Sequence, residues 1–142
     1  MMFQEFFKKR KTNKDLAVFY AEVKKNLESF YVMDQREYFK LFMMEGWGAV
    51  KENAGLKFPS AVTDYVKALE AFNSAKDEHD RFEEFYTATM DNRTKANATV
   101  LHDKKEILKQ KFQGLESVIK AAIKPLENEL RLRGIIKNVS RK

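Results

Sequence analysis

The sequence predicts an all-α protein, an antiparallel bundle of three long helices preceded by a short N-terminal amphipathic helix. Three observations carry this. The chain of 142 residues is 44% hydrophobic with 12 Phe, enough apolar side chain for one domain with a sizeable core. It is also 34% charged and holds only 5 Gly and 2 Pro, too few turn formers for a sheet protein. Its apolar residues recur in steps of three and four, the helical period.

Residues 2–11 read as the short helix, with Phe3, Phe6 and Phe7 on one side. Asn13 is a suitable N-cap for the first long helix. Leu16, Phe19, Tyr20, Val23, Leu27, Phe30 and Tyr31 then mark one helical face, and Tyr38, Leu41 and Phe42 extend it. No Gly or Pro stands between Lys14 and Glu45, so one helix from 14 to about 53 is favoured, bent near Asp34 or at Gly46 and Gly48. Asp34 with Glu37 resembles a capping box, and the alternative is a four-helix bundle split there. Asn53 to Gly55 supplies a stop.

Lys57 to Ser60 is a loop, and Pro59 or Ser60 opens the second long helix. Its stripe runs through Val62, Tyr65, Val66, Leu69, Phe72, His79, Phe82, Phe85, Tyr86 and Met90. Asp91–Asn92 is a turn. The third helix runs from about Thr94, with Leu101, Leu108, Phe112, Leu115, Ile119, Ala122, Leu126 and Leu130 in coiled-coil-like heptad spacing. Pro125 removes one backbone bond, yet the stripe keeps its phase across it, which predicts a bend and not an end. Gly134 closes the helix. The chain thus divides into a basic segment 1–12, a bundle 13–134 and a basic tail 135–142.

Charge is concentrated at the ends. The net charge is +6. Residues 1–12 contribute +3, with Lys8, Lys9, Arg10 and Lys11 against one acid, and residues 131–142 contribute +5, leaving the body at −2. An odd number of helical passes puts these ends at opposite poles, and an even number joins them in one patch. Cysteine is absent, which removes disulfides, thiol nucleophiles and thiolate metal sites and suits a reducing cytoplasm. No secretory signal and no bilayer-spanning stretch is read, so the three Asn-x-Ser/Thr matches at Asn92, Asn97 and Asn138 are ascribed to chance.

Four sets of residues point to chemistry. Phe3, Phe6 and Phe7 followed by Lys8, Lys9, Arg10 and Lys11 suit a peripheral anchor on an anionic membrane, the rings entering the interface and the bases meeting lipid phosphates; the competing reading docks these rings on the bundle. His79 and His102 lie at similar distances from the Asp91–Asn92 turn, and Glu83 and Glu106 each follow a His by four residues. These four form a candidate metal set, although the spacing lacks the Glu-x-x-His of carboxylate-bridged bundles and two solvated helix histidines are the competing reading. Tyr38, Phe39, Phe42 and Trp47 with Phe82, Phe85 and Tyr86 either line an apolar pocket or, as such stripes mostly do, form core. The acids Asp77, Glu78, Asp80, Glu83 and Glu84 read as a solvated face, with nothing to orient them for catalysis.

No nucleophile elbow or glycine-rich phosphate loop is present, and no cofactor is implied. The expected role is non-enzymatic: a helical interaction or scaffolding protein of the cytoplasm with a protein partner, peripheral at the inner membrane face. Its alternatives are nucleic-acid binding through the basic termini, which lack a recognition motif, and a metal-binding bundle. Leftover aromatic surface would support a homodimer.

Overall fold

The computed structural model describes residues 2–53 and 55–136, with side chains from Lys8 onward. The fold is an all-α bundle, with no strand among the described residues. It comprises α1 (Met2–Arg36), a short α2 (Glu45–Val50), α3 (Ser60–Ala88), α4 (Lys95–Phe112) and α5 (Leu115–Leu132), with a single 3₁₀ turn at Met90–Asn92.

The core face of α1 follows a heptad. Leu16, Phe19, Val23, Asn26, Phe30 and Met33 are all buried, in steps of three and four. α5 runs antiparallel beside it, as three side-chain bonds show. Arg133 Nη1 donates to Asn13 Oδ1 at 3.0 Å, Tyr20 Oη to Glu127 at 2.8 Å and Tyr31 Oη to Glu116 at 2.5 Å. α3 and α4 form an antiparallel hairpin, closed by Asn92 and by Thr94, whose Oγ1 accepts the Asn97 N–H at 3.0 Å. α3 packs on α4 and also on α5. Two aromatic clusters fill the interior. Phe112 stacks on Phe30 with centroids 4.5 Å apart and meets Phe39 and Phe72, while Phe19 meets Trp47, Phe58 and Tyr65.

Four expectations about the elements are corrected. The N-terminal helix is not separate. It is the first part of α1, so Asn13 lies inside a helix and accepts a bond from α5 instead of capping one. The first long helix does not reach residue 53. It stops at Arg36, near the alternative break at Asp34, with Glu37 at φ +52°. A non-glycine residue there costs about 1–2 kcal/mol, which the burial of Phe42 and Phe39 behind it offsets. The chain then returns along the bundle through residues 37–59, so α3 runs parallel to α1, and both run antiparallel to α5. Finally, the third long helix is broken, at Gln113–Gly114 and not at Pro125. Gly114 sits at φ +84°, where glycine is favoured, whereas α5 continues through Pro125. Gly134 closes α5 as expected. The Ile135 N–H bonds to Leu130 and the Gly134 N–H to Arg131, a Schellman ending.

Extended backbone inside a helical bundle must find partners for its N–H and C=O groups. Two asparagines provide them. Asn73 of α3 accepts the Phe42 N–H at 2.9 Å and donates to the Phe42 carbonyl at 3.0 Å. Asn26 of α1 does the same for Met43, at 3.0 and 2.9 Å, and its Nδ2 also donates to the Tyr65 hydroxyl at 2.8 Å. Each side-chain amide thus imitates one rung of a β-ladder, and the segment is held between α1 and α3. The buried Glu22 anchors the next turn, accepting the Gly46 N–H at 2.7 Å and the Trp47 N–H at 3.3 Å. Burial drives the Tyr65 phenol pKa well up, with the Glu22 charge adding to it and the Asn26 bond opposing.

Candidate anion-docking pole

Because α1 and α5 are antiparallel neighbours, the start of one lies beside the end of the other. The Arg133–Asn13 bond fixes this junction. The basic stretch at the start of α1 therefore lies on the same pole as Arg131 and Arg133 at the end of α5, the side-by-side arrangement that was expected only for an even number of passes. The turn after α2 joins them there, where Asn53 Nδ2 donates to Thr12 Oγ1 at 2.8 Å.

Between this turn and α1 lies a groove of about 450 Å³, lined by Lys8, Lys9, Lys11, Thr12, Asp15, Ala49, Glu52, Asn53 and Gly55. Lys8, Lys9, Arg10 and Lys11 are all exposed, with Lys14 a turn further on. On the α5 side Arg133 is held by Glu129 and Asn13, and Arg131 has a buried Nε without a hydrogen-bond partner. Tyr20 sits just inside, its pKa pushed up to about 12 by burial first and then by its bond to Glu127. Asp15 and Glu52 temper the groove, but the bases outnumber them. The arrangement suits a ligand that spreads negative charge over an area, more than one that needs a deep, enclosed site.

The side chains of Phe3, Phe6 and Phe7 lie outside the described residues, as do Lys137, Arg141 and Lys142 of the tail. The helix that carries the three Phe is nonetheless continuous with the bundle through α1.

The candidate metal set is not assembled. His79 is buried, with Nδ1 3.1 Å from Asp80 Oδ1. Glu83 and His102 are exposed, and Glu106 pairs with Lys109 at 3.5 Å. Among the described residues no group of three or more His, Asp and Glu stands close enough to hold a metal ion. Nor do the aromatics form one pocket. Phe42 is core, Phe39 and Trp47 pack against core, Tyr38 is exposed, and Phe82 and Phe85 pair with each other on the distal hairpin. The acidic face is solvated as expected, with Asp80 held by Lys76 at 2.6 Å. Partial burial pushes the Asp80 carboxyl up, but the bonds from Lys76 and His79 carry it below the usual carboxylate range.

Reading the sequence for function passed over Asn26, Asn73, Thr12 and Asn53. A signal existed for the first: Asn26 occupies a heptad core position between Val23 and Phe30. Among the described residues no helix is long and apolar enough to cross a membrane. Comparison of the chain with protein-family models, curated proteins and solved structures finds no match in any of the three.

Proposed function

We propose that this chain is a non-enzymatic interaction protein of the cytoplasm whose basic pole docks on an anionic membrane surface. The observation that carries the reading is the meeting of the start of α1 with the end of α5, pinned by Arg133 on Asn13. One pole then presents Lys8, Lys9, Arg10 and Lys11 together with the bases at the end of α5. Each base near an anionic leaflet contributes about 1 kcal/mol. Four of them, with apolar residues inserting beside them, give reversible attachment once the cost of immobilisation is subtracted.

Cosedimentation with vesicles tests it. Binding to phosphatidylserine-containing vesicles is expected, with little to neutral phosphatidylcholine and a steep loss as salt rises. The full-length variant K8Q/K9Q/K11Q, whose substitutions lie on an exposed helix face, is expected to lose at least tenfold in affinity with an unchanged circular dichroism spectrum. Equal binding by this variant, or no binding to anionic vesicles at low salt, overturns the reading. Tight binding to duplex DNA in place of vesicles would transfer the pole to the nucleic-acid alternative.

A further inference from the structure

A second groove opens at the other end of α1, roughly 35 Å from the Arg133–Asn13 junction at about 1.5 Å per residue. Two chain breaks produce it. α1 stops at Arg36, and Glu37 turns the chain away at φ +52°. α4 comes down past that end and breaks at Gln113, where Gly114 at φ +84° redirects the chain into α5. The notch left between them measures about 420 Å³, a size that holds a small molecule.

Its lining has three parts. Met33, Phe39 and Phe112 form an apolar floor, with the Phe39 and Phe112 rings 4.9 Å apart. Asp34 and Glu37 stand on the α1 side. Lys105 and Lys109 stand on the α4 side, one turn apart, with Phe112 three residues further on the same helix face. These four are exposed, and among the described residues no other charged side chain lines the groove. The two walls do not neutralise each other. Among the described residues Asp34, Glu37 and Lys105 form no ion pair, and Lys109 has only a 3.5 Å contact with Glu106 on its own helix. Like charges are thus kept side by side on each wall, an unfavourable arrangement for the protein alone.

We infer that this groove binds a small zwitterion whose cationic and anionic ends flank an apolar body, the chemistry of a dipeptide with free termini and a large apolar side chain. The ammonium meets Asp34 and Glu37, the carboxylate meets Lys105 and Lys109, and the side chain lies on Phe39 and Phe112. The four charges of the lining sum to zero. A ligand with a net charge therefore meets as much repulsion as attraction, whereas a zwitterion aligned across the groove is attracted at both ends. The C-terminal end of α1 adds to this, since a helix end of that polarity carries partial negative charge and favours a cation. An extended dipeptide spans roughly 7 Å, enough to bridge two walls that do not touch each other. Exposed ion pairs contribute little by themselves, so contact with the apolar floor supplies the affinity and the charges supply the selection.

Titration of the dipeptide Phe-Leu into the isotope-labelled full chain, followed by backbone amide shifts, tests it. Saturable binding with a Kd of about 1 mM or below is expected, with the shifts concentrated at residues 33–39 and 105–113. Acetylating the peptide's N-terminus or amidating its C-terminus is expected to weaken binding about tenfold each. Gly-Gly, which has both charges and no apolar body, is expected not to bind. Two variants separate the walls, with circular dichroism confirming that each is folded. In D34N/E37Q acetylation of the peptide should no longer matter, and in K105Q/K109Q amidation should no longer matter. Absence of saturable shifts up to about 10 mM, equal binding by the doubly blocked peptide, or blocking penalties that persist in the variants overturns the inference. The groove lies far from the basic pole, so these outcomes are independent of whether that pole docks on a membrane.

Discussion

Replacing Asn26 by Leu isolates the bond between the helices and the extended segment. The change keeps a similar volume at a fully buried position and removes three hydrogen bonds, two to the Met43 backbone and one to the Tyr65 hydroxyl. A stranded buried polar group costs about 1–3 kcal/mol. The Met43 groups are only partly buried, so about 1 kcal/mol each is appropriate, with about 1–2 kcal/mol more for the fully buried hydroxyl. Leucine returns about 1–2 kcal/mol of apolar burial. The net loss is about 1–3 kcal/mol, or a fall in Tm of about 3–12 °C for a chain of this size. Urea denaturation followed by circular dichroism measures it, with the midpoint lowered and the slope retained. A loss below about 0.5 kcal/mol would refute the idea that the amide holds the segment. Asn73→Leu supplies the second arm of a cycle. Because both asparagines grip adjacent residues, the double variant is expected to lose about 1 kcal/mol less than the two single losses added together. Strict additivity would mean that each end of the segment is held independently.

Two further predictions concern a glycine pair and the alkaline limit. At Gly46 an added Cβ would stand 3.0 Å from both the Phe19 Cα and the Glu22 carboxylate, whereas at Gly48 nothing lies within 4 Å. Gly46→Ala is expected to destabilise by about 1–3 kcal/mol and Gly48→Ala to be neutral or stabilising by up to about 1 kcal/mol; thermal melts that rank them the other way would contradict the close approach of α2 to α1. The phenols of Tyr20 and Tyr65 both titrate above their ordinary value, Tyr20 at about 12. The unfolded chain binds fewer protons than the folded one above pH about 10. The stability they contribute is present below that pH and is lost as pH rises from about 10 through 12, so urea midpoints should fall across that window, and less steeply in Tyr65→Phe. A profile with the same slope in both proteins would show that Tyr65 is not responsible.

The fold class was legible because it follows from local periodicity. Val62 to Phe72 and Leu115 to Leu130 are buried at the helical spacings expected of them. The ends with a chemical signature were legible too: Thr94 caps α4, Ser60 opens α3 after Pro59, and Gly134 ends α5. The end of α1 was not. Tyr38, Leu41 and Phe42 continue the helical phase by coincidence, and that phase outweighed the Asp34–Glu37 signal beside which the helix stops. The break at Gly114 had a signal that the unbroken stripe on either side outweighed. At the pole, composition revealed the two blocks of positive charge but not that the start of α1 lies beside the end of α5.

By itself, then, the chain's order of residues determined that it is helical, which faces of Val, Leu and Phe turn inward, and where positive charge accumulates, since each depends on residues within a few positions of one another. Tertiary structure decided how the rods are connected and therefore where the charges go. Asn26 and Asn73 hold Phe42 and Met43 from positions 17 and 31 residues away in the chain, and Arg133 reaches Asn13 across 120. Free energy gained over such separations leaves no periodic trace in the sequence, because it depends on which groups are brought together once the apolar faces have closed.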